Sequence, residues 1–145
     1  MRALIQRVNS SQVIVEGKTI ADISNGLLIL LGIAPGDDEA KSAAMAKKIA
    51  QLRIFEDEQE KMNLSVVDTG GAAIVVSQFT LFADTRKGNR PSFVGAAPPD
   101  LASPLVDHFV SELRKFDIPT QAGEFGAHML VNLQNNGPVT IWLEM

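Results

Sequence analysis

The segment Leu27-Leu28-Ile29-Leu30-Leu31-Gly32-Ile33 carries apolar side chains on almost every position. A strand with one face in water alternates apolar and polar residues, so this unbroken run predicts a central strand buried on both faces. Asn25-Gly26, a dipeptide typical of tight turns, precedes the run. A second apolar run, Ala73 to Phe82, follows Gly70-Gly71 and predicts another buried strand.

Shorter strand candidates and two helices surround these runs. The strand candidates are Ala3 to Val8, Gln12 to Val15, Thr19 to Ile23, Arg53 to Glu56, Ala127 to Leu133 and Val139 to Leu143. One helix is predicted after Asp37-Asp38, with an apolar stripe of Ala44, Met45, Ile49 and Leu52, and a second over Leu101 to Phe116. Glu16-Gly17-Lys18 and Asn135 to Pro138 are expected to be turns, and Asp84 to Pro99 a long loop. The pattern predicts one α/β domain over residues 1–145, with a mixed sheet and helices packed on one side.

Composition narrows the class of protein. The 145 residues include no Cys, 46% are hydrophobic, and 13 Lys and Arg face 17 Asp and Glu, for a net charge of −4. The absence of Cys excludes disulfides, thiolate zinc sites and cysteine nucleophiles. The acidic balance gives no overall attraction to nucleic acid, so any RNA contact must use a local patch. No leader-like apolar segment and no run of about 20 apolar residues is present, so a cytoplasmic protein without membrane contact is expected.

Most catalytic templates are absent from the chain. There is no G-x-S-x-G elbow, no Walker loop, no H-E-x-x-H and no G-x-G-x-x-G. His108 falls on the polar side of its predicted helix, and His128 occupies one polar position in an alternating strand. Both fit a structural histidine better than a metal ligand or the base of a triad, so no metal and no cofactor are expected.

Three segments depart from local patterns. Ser77-Gln78-Phe79-Thr80-Leu81 places hydrogen-bonding side chains directly after a buried strand, which then either surfaces or lines a pocket. Asn136-Gly137-Pro138-Val139-Thr140 is an ordinary turn or, with a cis Gly-Pro bond, a rigid pair of carbonyl groups. Thr85 to Phe93 concentrates Arg86, Lys87 and Arg90, which predicts a solvated loop or a patch that contacts phosphates.

These segments together resemble the D-aminoacyl-tRNA deacylase family over the whole chain. The resemblance rests on Ala3-Leu4-Ile5-Gln6-Arg7-Val8, Gly26-Leu27-Leu28, Lys61-Met62-Asn63-Leu64, Ser77 to Leu81, Arg90-Pro91-Ser92-Phe93 and Asn136 to Thr140. The SQFTL and NxGPVT motifs are weak singly and specific jointly. A related branch has a PQATL-like first motif, and Ser77 and Phe79 favour the D-specific branch.

The resemblance implies a homodimer with a three-layer β/β/α fold that hydrolyses the ester between a D-amino acid, or glycine, and the terminal ribose of tRNA. It assigns the catalytic segment to Ser77, Gln78, Phe79 and Thr80. Gly137-Pro138, in cis, would enter the pocket from the other subunit and reject L-amino acids. Arg7 would hold that loop, and Asn136 and Met129 would also contact substrate.

Two questions of chemistry remain open at this point. Amide groups near Phe79 and Thr80 would stabilise the oxyanion while the ribose 2′-hydroxyl handles the proton, or Thr80 would be a nucleophile that lacks a visible base. The alternative from another class is a non-catalytic RNA- or nucleotide-binding module that uses the Arg86–Arg90 loop.

Overall fold

The computed structural model describes all residues from Met1 to Met145. The elements follow one another as β1 (Arg2–Val15), β2 (Lys18–Ile23), β3 (Gly26–Gly32), α1 (Glu39–Ala50), β4 (Phe55–Glu56), β5 (Met62–Leu64), β6 (Ala72–Ser77), a 3₁₀ helix (Phe79–Phe82), α2 (Pro99–Arg114), β7 (Thr120–Ala122) and β8 (Met129–Glu144). No helix combines the length and apolar character that a membrane crossing requires.

The two apolar runs form neighbouring strands at the centre of a mixed sheet. The strand order is β2-β1-β3-β6-β7, and β8 pairs with β1. β3 pairs antiparallel with β1 and parallel with β6, and β6 pairs parallel with β7. α1 and the β4-β5 ribbon lie in the connection from β3 to β6, and α2 lies in the connection from β6 to β7. The predicted α/β class and mixed sheet are confirmed.

Two separate cores cover the two faces of the central strands. Leu27, Ile29 and Leu31 of β3 belong to the larger core, which also contains the apolar faces of α1 and α2. Leu28 points to the other face and packs in a smaller core with Val13 of β1 and residues of β2 and β6. Helices therefore cover one face of the central strands, while residues from the far half of β1 and from β2 cover the other.

β1 and β8 are longer than the sequence predicted. The predicted break at 9–11 does not occur, because these residues stay extended in β1, and the buried Ser11 donates its hydroxyl to Asn132 O (3.0 Å). Likewise, the turn predicted at 135–138 lies inside β8, where shifts of register against β1 accommodate it. Bulges of this kind let turn-forming residues remain within a strand whose partner continues on both sides.

The helices begin close to the predicted positions. Asp38 caps α1, and its carboxylate accepts the Lys41 N–H at 2.8 Å. Met45 and Ile49 are buried as predicted, whereas Ala44 is exposed. The predicted strand over Ala73 to Phe82 is wrong beyond Ser77, because the chain turns there into the 3₁₀ helix Phe79–Phe82, here called the 79–82 turn.

Candidate active site

A cavity of about 580 Å³ opens where β6 ends. Its wall is mostly apolar, and it is built from the end of β6, the loop before α2, the first turns of α2 and the segment that enters β8. The lining residues are Ile33, Val76, Ser77, Gln78, Phe79, Phe93, Ala96, Ala97, Pro99, Ala102, Phe125, Gly126, Ala127, His128, Met129 and Val131. Of the predicted site residues, the structure thus brings Ser77, Gln78, Phe79 and Met129 together.

Aromatic side chains form part of the cavity's rim. The Phe79 side chain is 55% exposed, and its ring meets the Phe93 ring edge to face, with centroids 5.0 Å apart. Exposed aromatic rings beside an apolar cavity provide flat surfaces on which a ligand ring can stack. Phe125 and His128, which also line the cavity, were not predicted, because their segment shows only alternating polarity.

The 79–82 turn presents unpaired backbone donors. Gln78 N still bonds to Leu31 O of β3 (2.8 Å), and Leu81 N bonds back to Gln78 O (3.3 Å). Between them, the N–H groups of Phe79 and Thr80 have no acceptor within the chain. The first N–H groups of any helix lack an internal partner. Here one belongs to Phe79, which lines the cavity, and the other to Thr80, the next residue, which does not line it. They are suited to bind an anionic oxygen.

The Thr80 hydroxyl is not set up as a nucleophile. Its nearest side-chain partner is the Gln78 carboxamide, which bonds to Oγ1. Neither atom of a carboxamide is basic enough to take the hydroxyl proton, whichever way the amide is oriented. A serine- or threonine-type nucleophile needs an adjacent base, and no carboxylate or imidazole bonds to Thr80.

Gly137-Pro138 forms an exposed bulge in β8, and side chains of the same chain hold it in place. The Gly137-Pro138 peptide bond is cis, and Gly137 has φ +137°. The Asn135 side chain clamps the bulge by accepting from Val139 N (2.7 Å) and donating to Val139 O (3.2 Å). Asn136 donates its side-chain amide to Asn9 Oδ1 (2.9 Å).

Arg7 anchors the same bulge to the rest of the domain. This arginine is only 4% exposed, and its Nε donates to Asn136 O at 2.9 Å. Its Nη1 donates to Ile54 O (2.7 Å), and Nη2 pairs with Glu56 at 3.2 Å. The planar guanidinium therefore ties the bulge to the segment between α1 and β4, so the bulge is rigid without contact with any ligand.

The bulge and the cavity are far apart within one chain. Met129 lines the cavity at the start of β8, and Gly137 lies eight strand positions further on. Eight residues of fully extended strand span at most roughly 26 Å, at about 3.3 Å per residue, and no residue of the bulge lines the cavity. The predicted site residues therefore form two groups, with Ser77, Gln78, Phe79 and Met129 in one, and Arg7, Asn136, Gly137 and Pro138 in the other.

The predicted basic loop contains fewer free cations than its sequence indicates. Arg86 is bound to Asp84 through Nε (2.9 Å) and Nη2 (2.7 Å). Hydrogen bonds from the Arg86 side chain and backbone, together with its charge, lower the pKa of Asp84 to about 2. Lys87 and Arg90 are exposed and have no ion-pair partner, so they are the two cations of the loop available to phosphates.

His108 lies in the helix layer, away from the cavity. Its Nδ1 is 3.1 Å from the Ser42 hydroxyl, and its Nε2 is 3.4 Å from Glu112. These contacts agree with the structural interpretation of this histidine. No group of three His, Asp or Glu side chains lies close enough to hold a metal ion.

Known proteins resemble this chain over nearly its full length. A family model described as D-Tyr-tRNA(Tyr) deacylase matches residues 4–144. D-aminoacyl-tRNA deacylases of Thermomicrobium roseum and Cereibacter sphaeroides are 56% and 58% identical over 144 residues, which are 99% of this chain and 94% and 99% of those proteins.

Solved structures agree with these matches. A structure named c-Myc DNA unwinding element binding protein has a TM-score of 0.93 and 42% identity, and the match covers 100% of this chain and 99% of that one. A probable eukaryotic D-amino acid tRNA deacylase has a TM-score of 0.85 at 15% identity, covers 99% and 98%, and shares the fold. The family model and the relatives together establish that this chain belongs to the D-aminoacyl-tRNA deacylase family.

Proposed function

We propose that this deacylase hydrolyses the ester bond between a D-amino acid, or glycine, and the 3′-terminal ribose of tRNA. The observation that supports the proposal is the pair of unpaired N–H groups at Phe79, which lines an apolar cavity, and at Thr80, the next residue. An aminoacyl group in the cavity would bring its ester carbonyl to these donors. Such a substrate is made and used in the cytoplasm, where we place the enzyme.

The reaction needs no strong protein base, because an aminoacyl ester is already activated. Water adds to the carbonyl carbon, the negative charge on the oxygen is bound by the two amides, and the bond to the ribose oxygen then breaks. The ribose oxygen takes up a proton, with the neighbouring 2′-hydroxyl as the relay, and the products are a free amino acid and tRNA. Oxyanion donors of this type typically contribute about 2.7–4 kcal/mol each to transition-state stabilisation.

Selection for the D configuration is assigned to Gly137-Pro138 of a second subunit. A rigid wall of backbone carbonyl groups on one side of the substrate's Cα would clash with an L side chain and accept the α-ammonium group. The bulge is exposed, anchored by Arg7 and Asn135, and does not line the cavity of its own chain. Glycine, which has no side chain, would pass the same wall.

A homodimer follows from this division of the site. β8 pairs with β1 along one edge only, so its other edge offers unpaired backbone groups along a strand of 16 residues. Leu130, Leu133 and Trp142 of this strand are 58%, 38% and 46% exposed. An exposed edge strand with apolar side chains favours association with a second protein surface.

The loop with Lys87 and Arg90 would contact tRNA phosphates beside the cavity. The alternative of a non-catalytic nucleic-acid-binding module depends on the same loop, yet Arg86 is already neutralised by Asp84. Turnover separates the two functions, because a binding module would release no amino acid.

The direct test is incubation with D-aminoacyl-, glycyl- and L-aminoacyl-tRNA, with release of free amino acid as the readout. We expect hydrolysis of the first two only. Equal hydrolysis of the L substrate would contradict the selection mechanism, and no hydrolysis of any substrate would contradict the enzymatic function itself.

Mixed dimers test whether Gly137-Pro138 acts across subunits. Ala96→Phe fills a cavity and leaves the bulge intact, whereas Gly137→Ala leaves the cavity and distorts the bulge, since a Cβ there would lie 2.6 Å from Val139 Cγ2. Each variant alone should lose D-selective turnover. Mixing them should restore it in the heterodimer if the bulge works in trans, and should restore nothing if it works in cis.

A further inference from the structure

The 79–82 turn, which carries the two proposed oxyanion donors, has few hydrogen bonds to the rest of the domain. None of its four residues is buried, and no side chain caps its start. Backbone bonds link it to itself and, through Gln78, to β3. A turn attached so lightly would move on a fast timescale, yet amides that stabilise a transition state have to stay in place.

Apart from the adjacent Gln78, Arg2 is the one side chain from outside the turn that donates a hydrogen bond to it. Its Nη1 bonds to Leu81 O at 3.0 Å, one residue after Thr80. Its guanidinium also lies over the Phe82 ring, with the central carbon 4.5 Å from the ring centroid. Arg2 therefore contacts the second half of the turn in two ways, through a hydrogen bond to the Leu81 carbonyl and by stacking on the Phe82 ring.

The guanidinium is itself fixed from the opposite side by β8. Its Nε pairs with Glu144 Oε1 at 2.9 Å, and its central carbon lies 5.8 Å from the Trp142 ring centroid. Arg2 stands at the start of β1, paired with Gly32 on one side and Glu144 on the other. The arginine thus bridges two sheet strands to the turn, in a partly exposed position with 29% of its side chain accessible.

We infer that Arg2 is a positioning residue for the deacylation reaction, which holds the 79–82 turn so that the Phe79 and Thr80 amides point at the substrate's carbonyl oxygen. The inference rests on the proposed function. Arg2 does not line the cavity, so its loss should slow the chemical step and leave binding of tRNA largely unchanged.

The conservative variant Arg2→Lys separates the positioning of the turn from the positive charge of the side chain. Arg2→Lys keeps a cation that can pair with Glu144, yet a lysine cannot stack on Phe82 and bond to Leu81 O with one planar group. We expect its rate to lie between that of the parent protein and that of Arg2→Ala. Glu144→Gln is the matched control, because it removes the ion pair and leaves both contacts of Arg2 with the turn.

Trp142 provides a spectroscopic readout, since it is the single tryptophan of the chain. Its ring lies beside the Arg2 guanidinium, so a displacement of that group should change its emission. Binding of tRNA that carries a D-amino acid through a non-hydrolysable 3′-amide should shift Trp142 emission in the parent protein. The same binding should leave the emission unchanged in Arg2→Ala, where the link from the turn to Trp142 is missing.

The experiment measures single-turnover deacylation of D-aminoacyl-tRNA, the Kd of the amide analogue, and Tm for the parent and all three variants. For Arg2→Ala we expect the single-turnover rate to fall by about tenfold, while the Kd of the amide analogue changes by no more than about threefold. Tm should stay close to that of Glu144→Gln. Rates within about twofold of the parent for both Arg2 variants would overturn the inference.

Two further outcomes are also decisive. If Arg2→Ala does not fold, a folded Arg2→Lys with the parent's rate overturns the inference, and a folded Arg2→Lys with a lower rate and unchanged Kd supports it. If rate and Kd worsen together in every variant, Arg2 acts on binding and the inference is wrong. A parent protein that hydrolyses no D-aminoacyl-tRNA would instead refute the proposed function.

Discussion

Gly32 sits where the sheet meets the 79–82 turn, and its replacement by alanine should disturb both stability and catalysis. A Cβ built on Gly32 would lie 2.9 Å from Phe82 Cε2 and 3.0 Å from Gln78 O. Carbon atoms in contact prefer about 3.5–4.0 Å, so the Phe82 ring must retreat by roughly 0.6 Å or more. Overpacking of this size costs about 1–3 kcal/mol of the free energy of unfolding.

The catalytic consequence of Gly32→Ala follows from the same displacement. Gln78 O is backbone at the start of the turn, so moving it also moves the Phe79 and Thr80 amides. A misplacement of about 1 Å can lower a rate by about 100-fold, so half that distance should lower the single-turnover rate by about tenfold. Chemical denaturation and single-turnover deacylation of D-aminoacyl-tRNA measure the two effects.

Gly95→Ala is the matched control, because Gly95 faces the same Phe82 ring at a distance that admits a methyl group. Its added Cβ would lie 3.7 Å and 3.9 Å from Phe82 atoms, which are ordinary contacts. We expect stability within about 0.5 kcal/mol of the parent and an unchanged rate. A Gly32→Ala variant that keeps the parent's rate while losing stability would refute the coupling between Phe82 and the amides.

The remaining predictions concern the side chains and the basic loop. Thr80→Ala should keep its activity within several-fold of the parent's, since a lost hydrogen bond costs about 1 kcal/mol. The parent protein should cleave tRNA ending in 2′-deoxyadenosine far more slowly than ordinary tRNA. A folded but inactive Thr80→Ala, together with a parent protein that still cleaves the deoxy substrate, would reverse this assignment. Asp84→Asn should release Arg86, tighten tRNA binding in a titration and steepen its salt dependence. In the folded protein the pKa of Asp84 is about 2, below its ordinary value of 3.8. The Asp84–Arg86 ion pair is therefore complete above about pH 4 and is lost only as the pH falls towards 2. The salt dependence of tRNA binding should accordingly be constant from about pH 5 to pH 8. Lys87→Ala and Arg90→Ala should raise KM and flatten the salt dependence with kcat nearly unchanged. Activity should survive EDTA, and a loss that zinc specifically restores would contradict the metal-free mechanism.

The sequence predicted the parts of the fold that depend on local pattern. The apolar run at 27–33 predicted a strand covered on both faces, and Asp38 followed by Glu39 predicted the start of α1. The Glu16-Gly17 turn joins β1 to β2 as predicted. In each case, the signal is contained in a few neighbouring residues.

The errors came where a distant strand overrides local preference. Asn136-Gly137-Pro138 has the composition of a turn, but pairing with β1 on both sides of it keeps these residues inside β8. Phe79, Leu81 and Phe82 are apolar enough for a strand, yet the chain turns at Gln78. The sequence singled out Ser77, Gln78 and Phe79, which line the cavity. It gave no such signal for Phe125 and His128, because only the folded chain brings them there.

The pairing of β1 with β8 also determines when the protein can finish folding during synthesis. Within the sheet, β1 leaves the ribosome before the other strands, and β8, the strand that covers its outer edge, leaves after them. At about 5–20 residues per second, that edge waits for roughly ten seconds without its partner. Nascent chains that stall before residue 129 would present a 14-residue strand with open backbone groups, a form prone to pair with other chains. The 16-residue β8 therefore completes the sheet and covers the open edge of β1, the first of its strands to be made.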